Sequence, residues 1–144
     1  MKLGYIASNY LTINKKVQKG TELFTYSLIH SLVLVADTNN IDITVFASGD
    51  SDLPVHIESI DDLPSNSYKN INKYNKHIFF ELALIAKALS LQDKFDLYHM
   101  NIGDGDLILP FAQFVKKPIL ITSHGSIDED FTRKYFDLFA RLPN

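Results

Sequence analysis

Three short stretches carry residue types able to do chemistry. Pro118 to Asp130 reads PILITSHGSIDED, in which Ile119, Leu120 and Ile121 suit a core and Ser123, His124 and Gly125 suit a site. A neutral imidazole at His124 can donate to a substrate oxygen or shield developing charge, and Gly125 lets a ligand come close. On residue types alone, His124 fits a structural role as well as a catalytic one. A second stretch runs from His99-Met100-Asn101 through Gly103-Asp104-Gly105-Asp106. His99 at a strand end reads as a satisfied structural group before it reads as a catalyst. Asp104 and Asp106 can bind sugar hydroxyls or cap the next helix, capping being the commoner use of such residues. Two close carboxylates without a third ligand nearby are a weak metal signal, so no metal is expected.

The third stretch is Lys19-Gly20-Thr21-Glu22, at a helix start. Gly20 either lets backbone N–H groups approach an anion, helped by the helix dipole, or is a permissive turn residue. Spacing alone favours the turn. Glu22 either accepts hydrogen bonds from a ligand or complements the dipole. Ser8-Asn9-Tyr10 adds polar groups after the first apolar run. His30, His56 and His77 fall on helix or loop positions away from these tips and receive no role.

These residues need elements to position them. Residues 2–8 form an apolar strand, and 20–36 a helix with Leu23, Tyr26, Leu28, Ile29, Leu32 and Val35 facing inward. Residues 41–47 make a β-branched second strand, and 55–60 a short third strand near an edge. Residues 61–75 read as a long polar loop. Ile78, Leu82, Ile85 and Leu89 mark the inner face of a helix over 77–91. Residues 95–100 form the fourth strand, 107–115 a helix with Pro110 tolerable only near its first turn, and 118–122 the fifth strand. Phe131, Tyr135, Leu138, Phe139 and Leu142 repeat at helical spacing, behind a capping box of Ser126 and Glu129. Strands alternating with helices predict an α/β fold, a Rossmann-like doubly wound parallel sheet with helices on both faces. In such sheets ligands bind beyond the carboxyl ends of the strands, where strand order reverses. The polar tips at Ser8–Tyr10, His99–Asp106 and Ser123–Gly125, with the helix start at Lys19–Glu22, all fall on that rim.

Bulk properties narrow the function classes. The chain has 144 residues, 46% hydrophobic and 22% charged, which suits one globular domain. A net charge of −3 argues against a nucleic-acid surface. There are no cysteines, so disulfides and thiolate metal sites are excluded. No apolar stretch reaches membrane-span length and the start lacks a signal-peptide core, so a soluble, cytoplasmic domain is expected. Neither G-x-G-x-x-G nor G-x-x-x-x-G-K-[ST] occurs, which weighs against dinucleotide and P-loop readings. No acidic pair ends the first strand, which weighs against a phosphorelay receiver. The close, Arg141-Leu142-Pro143-Asn144, reads as a turn where another strand is due, so the 144 residues are expected to be part of a longer protein.

Five segments in order resemble one family. MKLGYIASNY is similar to its opening strand and loop, and KGTELFTYSLIHSLV to its Gly-Gly-x-Glu helix start, with Lys19 in place of the first glycine. IDITVFASGDSD is similar to its second strand, FDLYHMNIGD to its Asp-x-x-His-x-[His/Asn] strand, and KPILITSHGS to its strand ending in Thr-x-His-Gly. The chain thus resembles the N-terminal domain, residues 1–144, of retaining, nucleotide-sugar-dependent glycosyltransferases of the GT-B fold. The resemblance implies transfer of a sugar from a nucleotide sugar to a sugar, lipid or small-molecule acceptor, without a required metal or cofactor. It implies a partner C-terminal domain holding most of the donor, with its basic residue and paired glutamates, so that this half alone is inactive. Peripheral membrane contact is compatible with it. Carried over by position, His124 is the catalytic residue beside the transferred sugar, and Gly20 and Lys19 lie at the donor phosphates. Asn9, Tyr10, Glu22, His99, Asn101, Asp104 and Gly125 line the acceptor or sugar side. A noncatalytic binding or interaction domain on the same scaffold is the competing reading.

Overall fold

Alternate residues of the first strand serve two separate cores. In β1 (Lys2–Ala7), Leu3, Tyr5 and Ala7 pack on one side and Ile6 on the other, the period of two that a doubly covered strand requires. β2 (Asp42–Phe46) divides likewise, with Ile43 and Val45 on the first side and Phe46 on the second. The structure, a computed structural model, describes residues 1–103, 105–125 and 130–140. Asp104, the Ser126–Glu129 capping pair and Leu142 lie outside the described residues.

The remaining elements are α1 (Gly20–Ala36), β3 (His56–Glu58), α2 (Lys69–Lys73), α3 (His77–Ser90), β4 (Leu97–Asn101), α4 (Leu109–Ala112), β5 (Ile119–Ile121) and α5 (Asp130–Phe139). The strands form one parallel sheet in the order β3-β2-β1-β4-β5. The fold is therefore α/β and Rossmann-like, as expected. From β1 the chain winds outward to β2 and β3, then returns and winds the other way to β4 and β5. Crossovers of one hand running in opposite directions put their helices on opposite faces. Accordingly Ile29 and Ala36 of α1 pack with Leu3, Tyr5, Ile43 and Val45. Leu84, Ile85, Ala88 and Leu89 of α3 pack on the other face with Ile6, Phe46, Tyr98 and Met100.

Tyr98 ties β4 to α3. Its hydroxyl donates to the Ala88 carbonyl at 2.5 Å, and burial pushes its pKa up to about 12. The ring lies over Gly4, where an added Cβ would stand 2.6 and 2.8 Å from two ring carbons. Gly4 is thus a packing requirement of the neighbouring strand.

Several local expectations shift. In α1 the buried stripe is Glu22, Thr25, Ile29 and Ala36, while Leu23 and Val35 are 45% and 48% exposed. Apolar residues surround this helix, so periodicity alone did not select a face. In α3, Leu84 and Ala88 join Ile85 and Leu89 in the core, and Ile78 stands outside it. The expected loop over 61–75 contains a 3-10 turn at Ser65–Ser67 and α2, polar apart from Ile71 and with no apolar period. The helix expected over 107–115 is shorter, a 3-10 turn at Gly105–Ile108 leading into α4, with Pro110 in its first turn. No described helix is long and apolar enough to cross a membrane.

Candidate functional site

The strand order reverses between β1 and β4, and a cleft of about 510 Å³ opens beyond their carboxyl ends. Four segments bound it. Ser8 and Tyr10 follow β1, and Lys19, Thr21 and Glu22 come from the start of α1. Asn75, His77, Ile78 and Glu81 come from the turn into α3 and its first turns. Ile102, Gly103 and Leu107 follow β4. A parallel sheet makes this crevice because the connections from adjacent strands leave toward opposite faces.

Glu81 holds the loop after β1. Its carboxylate accepts from the Ser8 hydroxyl at 2.9 Å and from the Asn9 backbone N–H at 3.0 Å. Ser8 in turn accepts from the Tyr10 N–H at 3.0 Å. The neighbouring segment closes around the same loop, with Ser65 N–H on the Asn9 carbonyl and Asn66 N–H on the Tyr10 carbonyl. His77 completes the wall: Nδ1 lies 3.0 Å from the Ser65 hydroxyl, and its ring meets Tyr10 edge-on at 4.7 Å. Placing a carboxylate against two donors in a partly buried loop rigidifies that wall.

A second polar group lies on the α1 side of the sheet. His99 and Asn101 alternate along β4 and face the same way as Tyr5 and Ala7 of β1. Tyr5 and His99 rings meet edge-on at 4.8 Å, and His99 Nε2 lies 2.8 Å from the Thr122 hydroxyl. Burial, and then the proximity of His124, hold the His99 pKa below the ordinary histidine value. Burial likewise raises that of Tyr5, partly offset by Thr25. Asn101 and Thr25 are fully buried. Asn101 donates through Nδ2 to the Thr25 hydroxyl at 2.9 Å, and its Oδ1 lies 2.9 Å from His124 Nε2. An amide oxygen only accepts, so His124 carries its proton on Nε2. The outer face of the imidazole is braced by Phe24, edge-on at 5.4 Å.

The structure therefore divides the residues singled out from sequence. Tyr10, Lys19 and Glu22 line the cleft. Asn101 and His124 are hydrogen-bonded to each other beside α1, and His99 is bonded to Thr122. Gly20 starts α1, and an added Cβ there would meet nothing within 4 Å, nor would one at Gly125. Gly20 also lacks a positive φ, so no turn conformation demands a glycine there. Asn9 contributes its backbone N–H and carbonyl, while its buried side-chain amide makes no hydrogen bond to a described residue. Asp104 lies outside the described residues. His77, set aside in the sequence as remote from the rim, is on the cleft wall. Glu81, Asn75 and Thr25 were missed altogether. A signal existed for His77 and Glu81, which are four apart in the otherwise apolar run HIFFELALIA, a spacing that puts both on one side of the helix start.

Among the described residues, no group of three His, Asp or Glu is placed to hold a metal. The cleft offers hydroxyls, carboxylates, one lysine and the His77 imidazole, while the His124 imidazole belongs to the group held by Asn101. No protein-family model matches the chain, and no curated protein matches it.

Proposed function

We propose that this chain is the acceptor-side half of a retaining glycosyltransferase that uses a nucleotide-sugar donor. The observation that carries the reading is the cleft at the strand-order reversal, walled by the start of α1 with Lys19 and Glu22. A helix start with an adjacent lysine suits a diphosphate, and hydroxyl and carboxylate groups on the facing wall suit sugar hydroxyls. Open space at Gly20 supports close approach of a phosphate to the backbone. In this reading a second α/β domain holds the nucleotide, and the transferred sugar lies between that domain and His124.

His124 would act through Nδ1 as an oriented acceptor for a hydroxyl of the sugar as positive charge develops at its anomeric carbon, since its Nε2–H is engaged by Asn101. Its orientation needs no substrate, because Asn101 and Thr25 hold it beforehand. Preorganised groups of this kind are worth about 2–4 kcal/mol of transition-state stabilisation. The test is turnover of a panel of nucleotide sugars by the protein that contains this domain together with its following domain. One donor is expected to release its nucleoside diphosphate, and His124→Ala to lower kcat by about 10²–10³ with little change in donor KM. Absence of turnover for every donor, or an unchanged His124→Ala rate, would overturn the assignment.

A further inference from the structure

Glu22 stands in the first turn of α1, is only 4% exposed, and yet bounds the cleft. Among the described residues, no group donates a hydrogen bond to its carboxylate and no cation pairs with it. Glu81 on the facing wall differs, because the Ser8 hydroxyl and the Asn9 N–H already donate to it. Lys19 also bounds the cleft, but its side chain is exposed and forms no ion pair with Glu22. The described walls therefore set two carboxylates against one lysine. An enclosed carboxylate without a partner is costly, and the positive start of α1 offsets only part of that cost.

We propose that the molecule taken by this cleft is an amino sugar with a free ammonium group, and that Glu22 receives that group. The inference rests on the transferase reading, of which it names the acceptor class. An ammonium brings one positive charge and three N–H donors to a carboxylate that has no other partner. A neutral sugar would bring a hydroxyl and leave the charge of Glu22 enclosed beneath it. An anionic acceptor would set a further negative charge against Glu22 and Glu81. A bare divalent cation fits less well, since among the described residues no third His, Asp or Glu joins these two. The remaining walls suit a sugar: Ser8 and Thr21 offer hydroxyls, Asn75 an amide and Tyr10 a ring, around a volume of about 510 Å³.

The test is NMR titration of the nitrogen-labelled chain on the acid side of neutrality, where the amines are protonated. Glucosamine, galactosamine and mannosamine are each compared with the parent hexose and with the N-acetyl derivative. At least one amino sugar is expected to bind about ten- to a hundredfold more tightly than both its neutral counterparts. The amides of Thr21 and Glu22 should shift with it. Glu22→Gln keeps the size of the side chain and should bring that amino sugar down to the level of its parent hexose, with circular dichroism checking the fold. Equal binding of every amino sugar and its parent, no binding at all, shifts remote from the start of α1, or a Glu22→Gln chain that keeps the preference would each overturn the proposal. No donor and no sugar transfer enter the readout. Parity among these ligands would strike this inference alone, and a retained preference without turnover of any nucleotide sugar would strike the transferase reading alone.

Discussion

The side-chain amide of Asn101 donates to the hydroxyl of Thr25 at 2.9 Å, inside the protein, and this turns the amide oxygen toward His124. A helix on one face of the sheet thereby sets the orientation of an imidazole that leaves a strand two positions away. Neutral His124 is expected to be the Nε2–H tautomer, read from imidazole nitrogen shifts by NMR. Thr25→Val removes the acceptor for Asn101 and should disperse that signature, with a stability loss of about 1–3 kcal/mol for the stranded amide. A Nδ1–H tautomer in the unaltered chain would contradict the geometry.

Glu81→Ala tests whether the cleft wall is held from α3. It removes the acceptor for the Ser8 hydroxyl and the Asn9 N–H, and a loss of about 1–3 kcal/mol in urea unfolding is expected. Hydrogen exchange at Asn9 should accelerate more than exchange at the central strand amides, such as Tyr5. Uniform acceleration would mean that Glu81 supports the whole fold instead of this loop.

Gly4→Ala should destabilise the chain by about 1–3 kcal/mol, since the added methyl overlaps the Tyr98 ring and the core has no slack to absorb it. Urea midpoints measure this. Gly20→Ala is the contrast, because open space surrounds that position, and its unfolding midpoint should stay near that of the unaltered chain.

Acid should weaken the fold before the carboxylates begin to titrate. Burial lowers the His99 pKa in the folded chain. Between that depressed value and the ordinary histidine value, the unfolded chain binds more protons, so acid favours unfolding. The His99 contribution is therefore fully present above the ordinary histidine range and is lost as pH falls through it toward the folded value. Thermal midpoints across that interval should decline, and His99→Gln should flatten the decline. An equal slope in the variant would place the effect elsewhere.

The strands and the main crossover helices were legible because each depends on local pattern: an apolar run for β1, a β-branched run for β2, and helical spacing of apolar residues for α3. Alternation of strand and helix, joined to the preference for one crossover hand, was enough to imply the doubly wound sheet and the rim on which Tyr10, Lys19, Glu22 and His124 lie. Other features had no local signature. The buried face of α1 depended on which side met the sheet, since its apolar residues point in many directions. The helical turn at 69–73 is polar and is made by its setting. The role of Glu81 arises from donors 72 and 73 residues away, and Thr25 meets Asn101 across 76 residues. Sequence alone determined which residue types stood at the strand tips. Only the tertiary structure decided which of them met, because a hydrogen bond between distant segments depends on how the sheet brings them together and not on spacing along the chain.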